Sequence, residues 1–236
     1  MFSAAPPTDR LGFWRGKRVI VAGASSGLGE ALAAELASRG ASLVIGARRV
    51  DKLSDIASLC AGKYECAKPG ILELDVTATP AELEAKAAEA SAMLGGVVDV
   101  FFYCAGRGQR TTALQTSATA HSELMATNFE GAVSLSRAVS LSDALGSFPF
   151  LKAAMIGYFD GLRYIDTDHA ASAIGSDGNA DENAKKGIAP ADLAKQVVDA
   201  VQEGKSELIA SQASVEFFLC PTETTLWTCA CKCLAV

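Results

Sequence analysis

The stretch that decides the fold is Lys17–Gly40, KRVIVAGASSGLGEALAAELASRG. It opens with a short β-branched run that ends in glycine, which predicts a buried strand. A glycine-rich turn follows. A helix is then predicted by Leu28, Leu32 and Leu36, which stand at i, i+4 and i+8 and are closed off by Gly40. The unit is therefore a strand, a glycine turn and a helix in direct succession.

The same alternation continues along the front half of the chain. Strands are predicted for SLVIGA, ILELDV and VVDVFFYCAG, and Pro80 begins an Ala/Glu-rich helix that fades into Gly95-Gly96. Strands separated by helices predict an α/β fold: a parallel sheet with right-handed crossovers and helices on both faces. Length alone leaves one or two domains open. Ligands of such sheets bind outside the carboxyl ends of the strands, near the point where strand order reverses. The turns after the first four strands are therefore the candidate site.

Charge and hydropathy exclude several classes of function. The chain has 236 residues and a formal net charge of −6, which argues against a nucleic-acid partner. No stretch reaches the ~18 consecutive apolar residues of a membrane span. The opening MFSAAPPTDRLGFW has no basic head followed by an apolar run, so a cytoplasmic location is expected rather than secretion.

Seven cysteines are present, and four of them crowd the tail. Without an export signal, reduced thiols are expected rather than a disulfide framework. The tail motif CACKC could hold a metal or be acylated, but with no nearby His and no CxxC pair a metal is not predicted. Weak membrane association through the tail, on an intracellular membrane such as the endoplasmic reticulum, is the alternative location.

The turn after the first strand has the form G-x-x-x-G-x-G, with Gly23, Gly27 and Gly29. Glycines let the backbone approach a pyrophosphate closely, and the helix N-terminus presents free N–H groups to it. No Lys-Ser/Thr follows, so a nucleoside-triphosphate P-loop is rejected. The alternative is a tight strand–helix turn without a ligand. The turn residues expected at a cofactor are Gly23, Ser25, Ser26, Gly27, Leu28 and Gly29.

The turns after the second and third strands indicate which dinucleotide binds. Where an NAD site would carry an acidic residue for the ribose, this chain reads Ala47-Arg48-Arg49. A guanidinium can grip a 2′-phosphate, so NADP(H) is favoured. This prediction rests mainly on Arg48, because Arg49 has the alternative of a solvated surface charge. Asp75-Val76 could meet the adenine, with a turn cap as the alternative for Asp75.

These motifs, with Ala105-Gly106, together resemble the short-chain dehydrogenase/reductase family. The resemblance covers residues from about 15 to 210 and leaves 211–236 as an unassigned Cys-rich tail. The later segments look most like the NADP-dependent branch that includes the hydroxysteroid dehydrogenases. The resemblance implies a single Rossmann-type domain built on a doubly wound parallel sheet. It also implies an oxidoreductase that interconverts carbonyls and alcohols of a steroid-like or lipid-like small molecule. It also makes a homo-oligomer an option.

The family's catalytic set is an Asn, a Ser and a Tyr-x-x-x-Lys. Asn128 fits the Asn, which in the family anchors a water, and it shares a helical stripe with Leu124 and Leu135. That stripe predicts a buried amide, which could also be merely structural. Lys152 fits the lysine that holds the nicotinamide ribose, and Thr167 falls among the cofactor contacts. The resemblance places the family's tyrosine at position 148, where this chain has Phe148.

Two segments of the family pattern are missing around residues 140–165. Only LSDALGSF stands where the fifth strand and the catalytic Ser should lie, and Pro149 is expected to begin the helix that carries Lys152. The sixth strand is also absent, so the edge of the fourth strand is expected to be bare, with a tail that covers it as one alternative. The remaining serines and tyrosines of the region are weak substitutes: Ser140, Ser142, Ser147, Tyr158 and Tyr164.

Three hypotheses follow from these gaps. The chain is a catalytically impaired NADP(H)-dependent oxidoreductase, a non-catalytic NADP(H)-binding protein, or a truncated isoform without independent activity.

Overall fold

Within the described residues, a seven-stranded sheet carries helices on both faces. The computed structural model describes residues 12–64, 66–107, 117–142, 152–155, 189–203, 207–210 and 215–219. The strands are β1 (Arg18–Ala22), β2 (Ser42–Ala47), β3 (Gly70–Glu73), β4 (Val100–Tyr103), β5 (Lys152–Met155), β6 (Glu207–Ala210) and β7 (Val215–Leu219). The helices are α1 (Gly27–Ser38), α2 (Val50–Tyr64), α3 (Pro80–Leu94), α4 (Ala118–Met125), α5 (Gly131–Ser142) and α6 (Pro190–Gln202), with a π turn at Ala126–Glu130 between α4 and α5.

The strand order defines where a ligand can bind. The strands lie in the order β3-β2-β1-β4-β5-β7-β6. From β3 to β5 all neighbours are parallel, whereas β7 is antiparallel to both β5 and β6. The chain moves from β1 outward to β3 and then returns to the other side of β1 with β4. The reversal between β1 and β4 is the switch point at which such sheets bind ligands. This architecture confirms the predicted Rossmann-type α/β fold.

The apolar run of β1 feeds two separate cores. Val19 and Val21 pack with α1, α2 and α6 on one face of the sheet. Ile20 and Ala22 pack with α3 and α5 on the other. Because successive strand residues point to opposite faces, a strand covered on both sides must be apolar at every position. That requirement explains why Val19–Ala22 is an uninterrupted apolar run.

Local signals set the bounds of α3 as predicted. The Thr79 hydroxyl accepts a hydrogen bond from the Glu82 N–H at 3.4 Å, and the Glu82 carboxylate accepts one from the Thr79 N–H at 2.9 Å. Thr79 is the N-cap of this reciprocal capping box, and Pro80 follows it as the first residue of the helix. Gly95 ends the helix with φ +71°, in the left-handed region that favours glycine.

A buried cation joins α6 to α1. Arg39 follows the end of α1 and is 9% exposed. Its guanidinium pairs with Glu35 at 2.6 Å and with Asp199 of α6 at 2.7 Å, and it donates to the Gln202 side chain at 3.3 Å. The network supplies the partners that a buried charge needs and fixes the position of α6 over α1.

Among the helices in the described residues, none combines the length and apolar character that a membrane crossing needs.

The prediction of a helix that carries Lys152 near its front is wrong over Lys152–Met155, because these residues form β5. This strand runs parallel to β4, with Lys152 opposite Val100 and Met155 opposite Tyr103. The apolar spacing of the segment favours a helix locally, but a strand here gives hydrogen-bond partners to the edge of β4. The expectation of a bare β4 edge is therefore also wrong. Pro149 and the rest of the predicted helix lie outside the described residues.

Part of the unassigned tail lies in the sheet. Val215–Leu219 inserts as β7 between β5 and β6, with Ala154 opposite Leu219 and Glu207 opposite Phe218. Glu207–Ala210 forms β6 and lies at the outer edge of the sheet. The sheet therefore includes residues beyond 210, in β7. The four tail cysteines fall outside the described residues.

Candidate functional site

The turns at the carboxyl ends of β1, β2 and β4 are hydrogen-bonded to one another. The N–H groups of Gly23 and Ala24 both donate to the Gly46 carbonyl, at 2.7 and 3.1 Å. On the other side, the Cys104 N–H donates to the Ala22 carbonyl at 2.7 Å. The glycine turn is therefore fixed between the end of β2 and the end of β4, as the switch-point rule predicts.

Two of the motif's three glycines are required by packing alone. A Cβ on Gly23, whose φ is +83°, would lie 2.3 Å from the Ala105 nitrogen. A Cβ on Gly29 would lie 2.3 Å from the Gly23 carbonyl oxygen. Side chains at either position would push the turn away from its neighbours. The tight-turn alternative thus accounts for Gly23 and Gly29 without a ligand.

The start of α1 has what an anion site needs. Gly27 has φ +61° and is the first residue of the helix. Ser26 stands at the N-cap in extended conformation, but its side chain makes no capping hydrogen bond. Leu28 is 2% exposed and packs into the core, so only its backbone faces the turn. Uncapped N–H groups and the positive end of the helix dipole fit a pyrophosphate.

Arg49, more than Arg48, reaches the glycine turn. The Arg49 guanidinium donates to the Ser25 hydroxyl at 3.0 Å, to the Ser25 carbonyl at 3.2 Å and to the Ser26 hydroxyl at 2.8 Å. Arg49 is an exposed surface charge, as the alternative expects, but it also contacts the glycine turn. Arg49 is 24 positions from Ser25 and 23 positions from Ser26 in the sequence, so no local pattern predicts these contacts.

Arg48, the second cation of the turn after β2, interacts electrostatically with Asp75. Hydrogen bonds from the Thr77 N–H at 2.9 Å and the Thr77 hydroxyl at 2.7 Å lower the pKa of Asp75, and the positive charge of Arg48 lowers it further. Arg48 itself is exposed. The turn-cap alternative for Asp75 is confirmed, while an adenine contact stays a prediction. Val76 is buried at 8% exposure and can offer only its backbone.

At the end of β4, the side chains are held in neutral form. Burial raises the pKa of the Cys104 thiol to about 12. Burial also raises the pKa of Tyr103, whose hydroxyl donates to the Thr127 carbonyl. Cys104 stands where the family resemblance implies an asparagine. The sequence analysis missed Tyr103, because nothing near it in the chain points to a partner in a distant helix.

Asn128 is buried, at 7% exposure, as its helical stripe predicts. Its amide oxygen accepts from the Arg107 N–H and its amide nitrogen donates to the Arg107 carbonyl, both at 2.8 Å. Arg107 also forms an ion pair with Glu123 of α4. The Asn128 amide therefore clamps the loop that follows Gly106. The water-anchoring role implied by the resemblance stays a prediction.

Lys152 is not brought to the glycine turn. It lies opposite Val100 at the amino end of the sheet, and three residues of strand, roughly 10 Å, separate it from the carboxyl end. Ser140 lies on α5, exposed, with its hydroxyl donating to the Ser136 carbonyl at 2.8 Å. Ser142 is the last residue of α5. The other predicted positions lie outside the described residues: Ser147, Phe148, Tyr158, Tyr164 and Thr167.

Comparison with known proteins gives concordant matches. The family profile described as short chain dehydrogenase matches residues 17–143, more than half of the chain. Human dehydrogenase/reductase SDR family member 7 is 31% identical over 180 residues, which cover 64% of this chain and 53% of that protein. Mouse dehydrogenase/reductase SDR family member 7B is 29% identical over 240 residues, which cover 84% of this chain and 74% of that protein. The chain spans about half the length of the member 7 relatives it matches.

A solved structure shares the fold. The alcohol dehydrogenase from the archaeon Thermococcus sibiricus, complexed with 5-hydroxy-NADP, aligns with a TM-score of 0.62 at 20% identity. The alignment covers 79% of this chain and 90% of that chain.

Proposed function

The chain belongs to the short-chain dehydrogenase/reductase family, and from that premise we propose that it binds NADP(H) at the carboxyl ends of β1 to β4. When bound, this cofactor supplies or accepts the hydride in the interconversion of a carbonyl and an alcohol. The chain's own part is to hold the dinucleotide: the glycine turn and the start of α1 would take the pyrophosphate, and the turn after β2 would take the ribose phosphate.

The observation that carries the choice of NADP(H) is the contact of Arg49 with Ser25 and Ser26. The end of β2 reads Ala47-Arg48-Arg49 and offers no carboxylate to a ribose diol. A guanidinium already aligned on two hydroxyls can share them with a phosphate through charge-assisted bonds. A second guanidinium, that of Arg48, stands beside it. Two cations and two hydroxyls favour a phosphorylated ribose over an unphosphorylated one.

The test is equilibrium binding of NADPH and of NADH to the whole chain, followed by the fluorescence of the reduced nicotinamide. We expect NADPH to bind more tightly. Arg49→Ala should weaken NADPH binding by about tenfold or more, the size of a charge-assisted hydrogen bond, and leave NADH unchanged. Arg48→Ala should weaken NADPH binding less, because the positive charge of Arg48 also interacts with the Asp75 carboxylate.

Arg15→Ala is the matched control. Arg15 is exposed in the turn before β1, at the amino end of the sheet, and its removal changes the net charge equally. It should leave both affinities unchanged. Equal binding of NADPH and NADH by the wild-type chain, or equal losses in the Arg49 and Arg15 variants, would contradict the proposal.

We also propose that the carbonyl chemistry of this chain, directed at steroid-like or lipid-like substrates, is impaired. Phe148 has no proton to donate at the position matched to the family's tyrosine. A positioned general acid contributes about 10²–10⁴ in rate. Turnover of a carbonyl panel with NADPH should be lower by that order than in a family member with an intact tyrosine. A turnover rate equal to that of such a member would contradict the impairment.

The second candidate function is NADP(H) binding without chemistry, and the position of Lys152 favours it. A lysine at the amino end of β5 stands at the opposite end of the sheet from the turns that would hold the cofactor. Lys152→Ala should therefore leave NADPH affinity unchanged. A large loss of affinity would instead assign Lys152 the ribose-holding role that the family resemblance implies.

The cysteine-rich tail bears on location. We propose a cytoplasmic protein, with peripheral attachment to an intracellular membrane through the tail as the alternative. Cell fractionation of the wild-type chain and of a variant with the four tail cysteines replaced by serine separates these locations. Release from membranes by that replacement supports attachment.

A further inference from the structure

Tyr103, the last residue of β4, links the sheet to the π turn through its hydroxyl group. Tyr103 is 1% exposed, and its ring lies edge-on to Phe101 within the core. Its hydroxyl donates to the carbonyl of Thr127, a residue of the π turn. Burial raises the pKa of this phenol, so it keeps the proton that it donates. A π turn pairs backbone groups at i→i+5 instead of i→i+4, and such turns are often found at functional sites.

The neighbour of Thr127 in that turn controls a loop of the candidate site. Asn128 uses its amide oxygen and nitrogen on the backbone N–H and carbonyl of Arg107, both at 2.8 Å. One buried side chain thus fixes the backbone of the segment after Ala105-Gly106. Where the π turn moves, this loop must move with it.

The residue that follows the π turn is tightly packed. A Cβ on Gly131, directly after the π turn, would lie 3.0 Å from the Tyr103 hydroxyl and 2.4 Å from the Val76 carbonyl oxygen. The first turn of α5 therefore rests against the end of β4 and the turn after β3. The Tyr103 hydroxyl is one of the groups that line this contact.

We infer that Tyr103 is a positioning residue: through Thr127 it holds the π turn in place, so that Asn128 sets the 104–107 loop as one wall of the nucleotide site. The inference rests on the proposed binding of NADP(H). Strand order places Arg48 and Arg49, after β2, on one side of the glycine turn, and the 104–107 loop, after β4, on the other. Gly23 and Ala105 are in direct contact across that boundary. A dinucleotide lying across the turn with its phosphorylated ribose at β2 has its nicotinamide half beside this loop.

The test compares two probes, NADPH and 2′,5′-ADP, which carries the phosphorylated ribose but no nicotinamide half. Tyr103→Phe removes one oxygen and keeps the ring that packs on Phe101. We expect the Kd for NADPH to rise by up to about fivefold, because losing one hydrogen bond lowers the population of the binding-competent loop. The Kd for 2′,5′-ADP should stay unchanged. A merely structural role would lower the melting temperature without changing the ratio of the two affinities.

Two further variants make the outcome decisive. Tyr64→Phe, a phenol removed from the end of α2 on the other face, is the matched control and should leave both affinities unchanged. Asn128→Asp keeps the shape but cannot donate to the Arg107 carbonyl. It should also weaken NADPH selectively, and the double variant should lose less than the product of the single losses, because both groups act on the same loop.

The possible results separate this inference from the proposed function. A wild-type chain that binds both probes and a Tyr103→Phe variant with an unchanged affinity ratio would overturn the inference alone. A wild-type chain that binds neither probe would overturn the proposed function and this inference with it. Selective loss of NADPH in Tyr103→Phe, with Tyr64→Phe unaffected, supports both.

Discussion

Replacing Gly29 by alanine is the sharpest test of how the glycine turn is built. The added Cβ would lie 2.3 Å from the Gly23 carbonyl oxygen, 2.9 Å from the Gly23 carbonyl carbon and 3.0 Å from the Ala24 Cα. All three atoms are backbone, so no side chain can rotate away. Overpacking of this kind costs about 3 kcal/mol at the upper end, and the better helix propensity of alanine offsets at most about 1 kcal/mol. We expect Gly29→Ala to lower the free energy of unfolding by about 2 kcal/mol.

Gly62→Ala is the matched control for this prediction. Gly62 lies in α2, and a Cβ there would meet nothing within 4 Å. The same substitution should therefore raise the free energy of unfolding, by up to about 1 kcal/mol. Urea unfolding followed by circular dichroism measures both. A Gly29→Ala variant as stable as Gly62→Ala would refute the packing argument.

Three more outcomes follow from the ion pairs, thiols and carboxylates of the described residues. Arg39→Met should lower the free energy of unfolding by about 2 kcal/mol in urea titrations, less than for a fully buried pair, because Glu35 and Asp199 remain about one quarter exposed; an unchanged midpoint would refute the role of the network. Burial raises the pKa of Cys60 to about 11 and that of Cys104 to about 12, from 9.0. The thiol contribution to stability should therefore be full below about pH 9 and fall above it, because the unfolded chain ionises first. In urea midpoints measured against pH, the double variant Cys60→Ala with Cys104→Ala should show a flatter slope. The Thr77 bonds hold the pKa of Asp75 below 3.8, so its contribution is present above about pH 4 and lost as pH falls; Asp75→Asn should make acid unfolding shallower, and an unchanged acid profile would contradict it.

The sequence determined the front half of the fold and the place of the site. The bounds of α3 follow from Thr79, Glu82 and Gly95, all within the helix or next to it. The apolar run of β1 and the leucine spacing of α1 are equally local, because a strand covered on both faces and a helix covered on one each impose their own period. Parallel alternation then places the turns after β1 to β4 at one edge of the sheet.

Only the tertiary structure decided the contacts that bridge distant segments. Lys152 and its neighbours have helical spacing, yet they pair with β4, because the edge of a strand needs backbone partners whatever the local pattern favours. The sequence analysis favoured Arg48, whereas Arg49 meets Ser25 and Ser26 through the geometry of two adjacent turns. The Tyr103 bond to Thr127 crosses 24 residues. Periodicity and caps report what a residue requires of its immediate neighbours, whereas hydrogen-bond partners across the sheet are set only when strand order and register bring them together.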